Sequence, residues 1–481
     1  MPCLFDSIHE ECGVFGIYTN EVSDVAASTY YGLYALQHRG QESCGIAVND
    51  DGIIACHHDV GLVNDVFTNE TLNKLGMGKI AVGHVRYGTT GANSRGNAQP
   101  LVVNHIKGCM ALAHNGNLTN DHELREELEL NGSIFRTTSD TEVISYIITR
   151  ERITSKSIEE AVCRAMRRLK GAYSLVIMSP QKLIAVRDPI GFRPLCIGKL
   201  DNGYVFASES CALDAAGAEL VRDVEPGEVV IADANGLRSI KDNCIGSKTA
   251  LCVFEHIYFA RPDSIIDGSY VHMARQRAGA FLALEHPVHA DVVIGVPDSG
   301  IDAAIGYAHQ SGIPYGLGFI KNKYIGRTFI QPTQADREKG VRIKLNPIKS
   351  TVSGKRVVLI DDSIVRGTTI TRIVKLLRDA GAVEVHVRSS APKFLYPCYF
   401  GTDIDSQENL VAWKHSDEEL TAMFGADSIG FLSTENVVKL ADNTPLGFCT
   451  GCFTGKYPCE TPKFKGKNKY VRKISESRTE E

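Results

Sequence analysis

The stretch VVLIDDSIVRGTTI, residues 357 to 370, decides the fold of the second half of this chain. Its first four residues are apolar and predict a buried strand, and Asp361 and Asp362 follow where that strand ends. The loop from Ser363 to Thr369 then opens a helix, whose first N–H groups can bind an anion. We interpret the stretch as a phosphate cradle beside two acids that can bind sugar hydroxyls or hold Mg²⁺ through water. The alternative is a capped helix whose acids are only solvated.

The segments around this stretch alternate between strand and helix. After about residue 250 they run DVVIGV, IDAAIGYAHQSG and PYGLGFI, then RVVLI, ITRIVKLLRDAG and VEVHVRSSA. Such βαβ units predict an α/β domain with a parallel sheet, because parallel neighbours need a crossover that a helix usually supplies. Ligands of open sheets bind at the carboxyl ends of the strands, where the two acids stand.

The first half of the chain, to about residue 245, has a different pattern. Short apolar runs broken by glycine predict buried strands: VFGIYT, KIAVGHVRY, CMALAHNG, AYSLVIMS, KLIAVRD and EVVIADANG. Two helical segments interrupt them. TTSDTEVISYIITRER carries a capping box from Ser139 to Glu142, and SIEEAVCRAMRRLKGA is expected to end near Gly171. Strand clusters with helices outside them predict a layered α+β domain.

Composition excludes several classes of protein. A chain of 481 residues is too long for one core, so two or three domains are expected. A formal net charge of −5 with both signs interspersed argues against nucleic acid as the main partner and against a polybasic membrane anchor. No apolar run approaches the roughly 20 residues that span a bilayer, and MPCLFDSIHEE lacks the apolar region of a secretory signal. We expect a cytoplasmic protein, whose 14 cysteines serve as thiols, in a metal site or in catalysis.

The stretch around Asp361 resembles the phosphoribosyl pyrophosphate motif of type I phosphoribosyltransferases. The resemblance implies that Asp361 and Asp362 meet the ribose hydroxyls, directly or through one Mg²⁺ per subunit, and that Ser299 in GVPDSG is a third magnesium-associated residue. On the residues alone, the alternative is that Pro297 to Gly300 is only a turn. The loop implied to bind the 5′-phosphate consists of Val365, Arg366, Gly367, Thr368 and Thr369.

A basic segment, KNKYIGRTFIQPTQADREKGVRIK, begins at Lys321. It is too polar for a core, and it resembles the flexible loop that closes over pyrophosphate in the same family. Lys321, Lys323 and Arg327 are therefore candidate pyrophosphate contacts, although a basic loop is more often simply solvated.

Near the start of the chain, HEECGVFGIY places Cys12 between acids and an apolar run. Taken alone, this cysteine is more simply a small core residue that opens a strand. Four further segments change the interpretation, since together with CGVFGI they resemble, in order, the glutamine amidotransferases with an N-terminal nucleophile. They are LQHRGQES with Arg39, GHVRYGTTG with Arg86, AHNGNLTN with Asn115 and Gly116, and TTSDTEV with Asp140.

Hydrolysing a glutamine amide needs a nucleophile, a base and an oxyanion hole. If the thiol of Cys12 attacks its preceding peptide bond and residues 1–11 are removed as a propeptide, its α-amino group, with a pKa of about 8, can act as the base. The resemblance implies an oxyanion hole of Asn115 and Gly116, binding of the glutamine α-carboxylate by Arg86 and of its α-ammonium by Asp140, and support of the site by Arg39. The residues alone leave two alternatives open, a surface ion pair for Arg86 and a helix cap for Asp140.

A glutaminase followed by a phosphoribosyltransferase resembles the amidophosphoribosyltransferase family, from Cys12 to about Pro458. The resemblance implies an N-terminal-nucleophile αββα domain at 12–245, an α/β phosphoribosyltransferase domain at 246–460 and a polar tail at 461–481. It implies the first committed step of purine biosynthesis: phosphoribosyl pyrophosphate, glutamine and water give 5-phosphoribosylamine, pyrophosphate and glutamate, and ammonia passes inside the protein. Inhibition by purine nucleotides and a homotetramer are further expectations. Cys44 stands where alanine is common in the family.

A cysteine-rich segment, GFCTGCFTGKYPCE, lies near the end of the chain. Its Cys-x-x-Cys spacing is compatible with zinc, with an iron–sulfur centre or with buried thiols. One class of the family carries a [4Fe–4S] cluster, and its pattern implies one cluster per subunit on Cys252, Cys398, Cys449 and Cys452. Cys459 is a spare thiol that could compete for the cluster.

Three alternatives have other functions. An amidotransferase that makes an amino sugar or asparagine would share the first half but lack VVLIDDSIVRGTT. A non-catalytic sensor of phosphoribosyl pyrophosphate would not need Cys12, Arg86, Asn115 and Asp140 together, and it would need a basic face to bind DNA. An iron–sulfur redox protein would hold the nucleotide site incidentally.

Overall fold

The computed structural model describes residues 12–87, 95–244, 248–322, 345–404 and 406–463. Its first half is built on two antiparallel sheets, with strand orders β11-β9-β10-β1-β4-β2-β3 and β13-β12-β8-β7-β6-β5. The strands are β1 (Gly13–Ser23), β2 (Ser43–Asp50), β3 (Ile53–Val60), β4 (Gly78–Arg86), β5 (Leu101–His105), β6 (Gly108–Leu118), β7 (Gly171–Met178), β8 (Leu183–Arg187), β9 (Cys196–Leu200), β10 (Gly203–Ala207), β11 (Glu219–Asp223), β12 (Val229–Asp233) and β13 (Gly236–Ile240).

Helices cover the outer face of each sheet, and the inner faces pack on each other through apolar side chains such as Val14 and Val176. The first sheet is covered by Val25–Ala35 and Ser210–Ala215, the second by Asp121–Leu130, Asp140–Thr154 and Ile158–Met166. Short helical turns lie at Val63–Val66, Asn69–Leu75 and Arg95–Asn97. Near-continuous apolar runs, such as that of β7, which is buried along its whole length, let each sheet bury both faces, which confirms the predicted αββα layering.

Two local predictions in this half are wrong. Ser139 is the N-cap and accepts the N–H of Thr141, but Glu142 accepts the N–H groups of Arg136 and Thr137 instead of closing a capping box. The helix expected to end near Gly171 ends at Met166, and the intervening residues turn into β7. The preceding loop folds back over Glu142 and occupies its carboxylate, and the chain turns between Arg167 and Lys170 to enter β7.

The second half contains the predicted parallel sheet, whose strands lie in the order β17 (Val292–Gly295), β20 (Arg356–Asp361), β21 (Glu384–Ser389) and β22 (Ser428–Phe431). All of these neighbours pair in parallel. PYGLGFI is not a strand of this sheet: Tyr315 forms only an isolated bridge with Val293, and the segment continues into an antiparallel pair. The strands of this half are β14 (Leu251–Cys252), β15 (Ile265–Ile266), β16 (Ser269–Tyr270), β17 (Val292–Gly295), β18 (Phe319–Lys321), β19 (Leu345–Pro347), β20 (Arg356–Asp361), β21 (Glu384–Ser389), β22 (Ser428–Phe431) and β23 (Phe448–Cys449).

Helices flank this sheet on both faces, beginning with a π-helical turn at Glu255–Phe259. The others are Val271–Glu285, Gly300–Ser311, Lys349–Val352, Thr368–Asp379, Gln407–Asn409, Val411–Lys414, Asp417–Phe424, Thr434–Val437 and Gly451–Thr454. The pairing of β14 with β23 fastens the end of the described chain to the start of this half. Among the described residues, no helix has both the length and the apolar character needed to cross a membrane.

Candidate functional site

Strands β1, β4 and β6 direct three predicted glutaminase residues toward the layer between the two sheets. Each strand contributes to the core of that layer, through Val14, Val82 and Ala113 respectively. Side chains an even number of positions apart on a strand share a face, so Cys12, Arg86 and Asn115 point to this same layer. Cys12 is half-buried, and its Sγ donates to the carbonyl oxygen of Tyr87 over 3.6 Å.

The side-chain amide of Asn115 is buried, and its polar atoms make no hydrogen bond within the described residues. The residue is 1% exposed, and within the described residues neither its Oδ1 nor its Nδ2 has a hydrogen-bond partner. Leaving a buried polar group unpaired costs about 1–3 kcal/mol, so such a group indicates a place where a ligand or water binds. The adjacent Gly116 has φ +136°, and a β-carbon there would lie 2.2 Å from the carbonyl oxygen of Ala172. Only glycine fits this position.

Asp140 begins the helix Asp140–Thr154 and ties it to β6. Its Oδ2 accepts the N–H of Leu118 at 3.0 Å, and its Oδ1 lies 3.5 Å from Nδ1 of His114. Burial alone would raise the pKa of Asp140, but His114 and the hydrogen bonds outweigh burial and lower it. The side chain is therefore a buried, charged carboxylate near the end of β6, whereas Ser139 is the helix cap.

His84 holds the two sheets together beside these residues. Its Nε2 lies 3.0 Å from the carbonyl oxygen of His114, and since a carbonyl only accepts, Nε2 carries the proton. Burial lowers the pKa of His84 to about 3, so the ring is neutral. This hydrogen bond fixes β4 against β6. His84 is two positions from Arg86 on β4, and His114 is adjacent to Asn115 on β6.

Arg39 lies behind the main chain of Cys12. Its fully buried guanidinium donates to Glu209 at 2.6 Å and to Glu255 at 2.8 Å, and its Nε donates to the carbonyl oxygen of Cys12 at 3.2 Å. Burial alone would raise the pKa of Glu209, but His38 and Arg39 lower it well below its usual value. The ion pairs thus join the predicted nucleophile to the π-helical turn of the second half.

A cavity of about 610 Å³ lies between the two halves of the chain. Its size suits a ligand as large as a nucleotide. Asp361 and Asp362, at the carboxyl end of β20, line it together with Ser299, which follows β17. Further lining comes from Val365, Gly367 and Thr369 of the predicted phosphate loop and from His38 and Gln41 of the first half.

The two acids are held close together with little exposure, 7% for Asp361 and 8% for Asp362. Oδ1 of Asp361 accepts the N–H of Asp362 at 3.0 Å, and Asp362 accepts the hydroxyls of Ser299 and Ser363. Burial raises the pKa of both acids, and for Asp361 the neighbouring carboxylate adds to it. The pair can accept sugar hydroxyls or bind a hard cation through oxygen.

The other residues predicted to contact phosphate or pyrophosphate do not all line this cavity. Lys321 lines the cavity and forms an ion pair with Asp298 at 2.6 Å. Arg366 is half-buried and Thr368 is exposed, and neither belongs to the cavity lining found among the described residues. Lys323 and Arg327 lie outside the described residues.

Four cysteines from separate parts of the chain line one small cavity: Cys252, Cys398, Cys449 and Cys452. Pairing of β14 with β23 sets Cys252 opposite Cys449, and the structure records no disulfide among the described cysteines. Burial raises the pKa of Cys449 to about 12, and burial with the three other thiols raises that of Cys452 well above its usual value. Within the described residues, no three His, Cys, Asp or Glu side chains are arranged to hold a single metal ion.

Comparison with known proteins agrees with this two-part architecture. A family model of the glutamine amidotransferase domain matches residues 84–215, and a model of the phosphoribosyl transferase domain matches residues 272–393. Amidophosphoribosyltransferase from Methanocaldococcus jannaschii is 50% identical over 464 residues, covering 93% of this chain and 98% of that protein. The chain belongs to the amidophosphoribosyltransferase family. The family enzyme from Bacillus subtilis is 50% identical over 458 residues, covering 94% of this chain and 95% of that protein.

Solved structures of family members have the same fold. Glutamine phosphoribosylpyrophosphate amidotransferase from B. subtilis, complexed with ADP and GMP, superposes with a TM-score of 0.86 at 50% identity, covering 93% of this chain and 98% of that one. A structure described as the allosteric regulatory enzyme of purine biosynthesis gives 0.88 at 49% identity, covering 95% and 98%. The chain is an enzyme of purine biosynthesis that combines glutamine amidotransferase and phosphoribosyltransferase parts. The alternatives of an amino-sugar or asparagine enzyme, a non-catalytic sensor and a redox protein are wrong.

Several residues near the predicted sites of this amidophosphoribosyltransferase could not be predicted from the sequence. Glu209 and Glu255, which bind Arg39, lie 170 and 216 positions from it. Asn117, which donates to the carbonyl oxygen of Tyr399, is separated from it by 282 positions. No local pattern signals such partners, because they meet only when the two halves pack.

Proposed function

We propose that the enzyme runs its reaction at two sites, with glutamine hydrolysed at Cys12 and 5-phosphoribosylamine made in the cavity beside Asp361 and Asp362. The buried, unsatisfied amide of Asn115 carries the proposal, since it lies on the same inter-sheet face as Cys12. A preorganised donor of this kind stabilises an oxyanion because it needs no reorganisation when charge develops.

In the proposed hydrolysis, the sulfur of Cys12 attacks the amide carbon of glutamine while the α-amino group of Cys12 takes the thiol proton. Asn115 and Gly116 donate to the oxyanion. The carbon–nitrogen bond then breaks, the proton returns to nitrogen and ammonia leaves, and water hydrolyses the thioester to glutamate. The α-amino group is free only after the bond between residues 11 and 12 is cut, so removal of an eleven-residue propeptide is part of the proposal.

Two charged side chains are proposed to bind the substrate glutamine, and a third, buried side chain is proposed to support the site. Arg86 is 3% exposed at the end of β4 and would bind the α-carboxylate. Asp140 is a buried carboxylate whose lowered pKa keeps it charged, which suits an α-ammonium. Arg39 supports the site through the carbonyl oxygen of Cys12.

The second step is displacement at the sugar carbon: ammonia forms the new carbon–nitrogen bond, pyrophosphate leaves, and the nitrogen loses a proton. Asp361 and Asp362 would hold the ribose hydroxyls, and the loop from Val365 to Thr369 the 5′-phosphate. The donor set of two carboxylates and the hydroxyl of Ser299 fits Mg²⁺, which often binds through one or two carboxylates plus substrate phosphates. Bound Mg²⁺ would neutralise charge on the pyrophosphate, with Lys321 and Arg327 adding positive charge.

We further propose a [4Fe–4S] cluster on the four thiols that share one cavity. The same four sulfur donors would also suit a zinc ion, so the choice of a cluster rests on the family pattern of these four cysteines and not on the geometry of the cavity. Amide hydrolysis and sugar displacement transfer no electrons, and the cluster's chemistry would be structural.

Other expectations of the family belong to the same proposal. The relative from B. subtilis is complexed with ADP and GMP, which supports purine nucleotides as inhibitors here. Many cysteines without a disulfide among the described residues support a reducing, cytoplasmic compartment. A homotetramer and the domain limits 12–245, 246–460 and 461–481 complete the proposal; residues 245–247 and 464–481 lie outside the described residues.

Asn115→Ala tests the glutaminase site. We expect kcat for glutamine hydrolysis to fall about 10²–10³-fold, because one oxyanion donor is lost. Synthesis from added ammonia should be unchanged, since it bypasses this site. Steady-state assays with each nitrogen source measure both activities. Near-normal glutaminase activity in a folded variant would reject the assignment of Asn115.

Cys449→Ser tests the cluster against its neighbour Cys459→Ser. We expect the first variant to be colourless and thermally less stable, because metal–thiolate binding and folding are coupled. The second should keep iron, sulfide and colour, since Cys459 packs nearby without lining the four-thiol cavity. Measuring the iron, zinc and sulfide content after anaerobic purification distinguishes the cluster from a zinc site. Zinc at about one per chain without sulfide would replace the cluster by a zinc site.

A further inference from the structure

The segment Cys398–Gly401, here called the Cys398 loop, runs from the four-thiol cavity to the end of β6. At one end, Cys398 and Phe400 line the cavity, and the Sγ of Cys398 accepts the N–H of Phe400 at 3.4 Å. At the other end, Nδ2 of Asn117 donates to the carbonyl oxygen of Tyr399 at 3.1 Å. The loop is thus a bridge between the two halves of the chain.

Asn117 lies on the same face of β6 as Asn115, because the two are two positions apart on one strand. Gly116 lies between them. Its backbone is in close contact with the Cys398 loop: a β-carbon built on Gly401 would lie 3.5 Å from the carbonyl carbon of Gly116. The loop therefore contacts β6 beside the proposed oxyanion hole, at the side chain of Asn117 and at the main chain of Gly116.

Contacts of Phe400 with Arg193 and Phe192 hold the loop itself in place. Nη2 of Arg193, a fully buried residue, donates to the carbonyl oxygen of Phe400 at 2.7 Å. The rings of Phe192 and Phe400 stack with centroids 4.2 Å apart. Gly401 has φ +118°, and a β-carbon there would also lie 3.1 Å from Nη2 of Arg193. A loop fixed this firmly can hold β6 in one position.

We propose that the Cys398 loop positions the oxyanion hole of the glutaminase, with Asn117 as a positioning residue. The inference rests on the proposed role of Asn115 and Gly116. By it, the phosphoribosyltransferase half contributes to glutamine hydrolysis through contacts with β6, without touching glutamine. Disorder of the residues that line the four-thiol cavity is then expected to lower the rate of amide hydrolysis.

Asn117→Ala and Gly401→Ala test the proposal separately. The first removes the hydrogen bond to Tyr399, and the second adds a methyl group against Gly116 and Arg193 in an unfavourable backbone conformation. In each we expect kcat for glutamine hydrolysis to fall about tenfold, as for one lost hydrogen bond, with KM for glutamine changed less than about twofold. Ammonia-dependent synthesis and iron content should be unchanged.

Gly425→Ala is the matched control. Gly425 also has a left-handed backbone, at φ +68°, but no atom lies within 4 Å of a β-carbon there. We expect its glutaminase kcat to stay normal even if its thermal midpoint falls slightly.

The outcomes separate this inference from the proposed function. Normal glutaminase kcat in both loop variants, with Asn115→Ala strongly impaired, would overturn positioning by the loop and leave the oxyanion hole intact. Normal activity in Asn115→Ala would instead reject the oxyanion hole. Parallel loss of glutaminase and ammonia-dependent synthesis in the loop variants would show a general effect on folding and also overturn the proposal.

Discussion

Cys12→Ala is expected to lower glutamine-dependent synthesis by at least about 10³-fold, since without a nucleophile no thioester forms and only weak residual catalysis persists. Synthesis from added ammonia should continue near its normal rate, because ammonia enters the reaction after the first site. Assays of pyrophosphate release with glutamine and with ammonium chloride measure the two routes. If both activities vanish in a folded protein, the two-site proposal fails.

Cys109→Ala is a matched control for the loss of a thiol. Cys109 is half-buried like Cys12, and its Sγ also donates to a main-chain carbonyl, that of Gly52, at 3.3 Å. Both activities should be close to normal in this variant. Cys12→Ala should also retain residues 1–11, because the same thiol is proposed to cut the chain. Mass spectrometry of the purified variant measures this, and a processed N-terminus would show that the cut is not autocatalytic.

Asp361→Asn and Asp362→Asn should each lower synthesis at least about 10²-fold with either nitrogen donor, because both routes converge on one phosphoribosyl site whose positioning and charge they remove. Glutamine hydrolysis should persist in part. Each amide has the shape of the acid and relieves the repulsion between two buried carboxylates, so the thermal midpoint should not fall. Near-normal synthesis in either variant would make that acid a merely structural group.

Asp291→Asn is the matched control for these acids. Asp291 lies beside the opposite end of β20, where it pairs with Arg356 at 2.6 Å. The ion pair that it forms is exposed, and such pairs contribute little to stability. Synthesis should stay near normal in this variant. Comparing these variants therefore distinguishes the effect of losing a carboxylate at the carboxyl end of β20 from that of losing one beside its amino end.

Much of the fold follows from local patterns in the sequence. Val357 to Ile360 form a strand of the parallel sheet because apolar residues must be buried on both faces of such a sheet. The acids that follow reach the cavity because the carboxyl ends of parallel strands meet at one edge. Cys12, Arg86 and Asn115 share a layer because strand side chains alternate between faces. These features depend on short-range periodicity, which is visible in one sequence.

The tertiary structure alone decided which distant residues meet. Glu142 caps the N–H groups of Arg136 and Thr137 because the preceding loop folds back over it, and PYGLGFI leaves the sheet after one bridge. Arg39 binds Glu255, and Asn117 binds Tyr399, across the junction of the two halves. Partners of this kind are selected when buried charges and amides must be satisfied during packing, and any of many acids or carbonyls in the chain could have served. Sequence periodicity carries no information about that choice, so the acids that bind Arg39 and the carbonyl group that binds Asn117 became visible only in the folded protein.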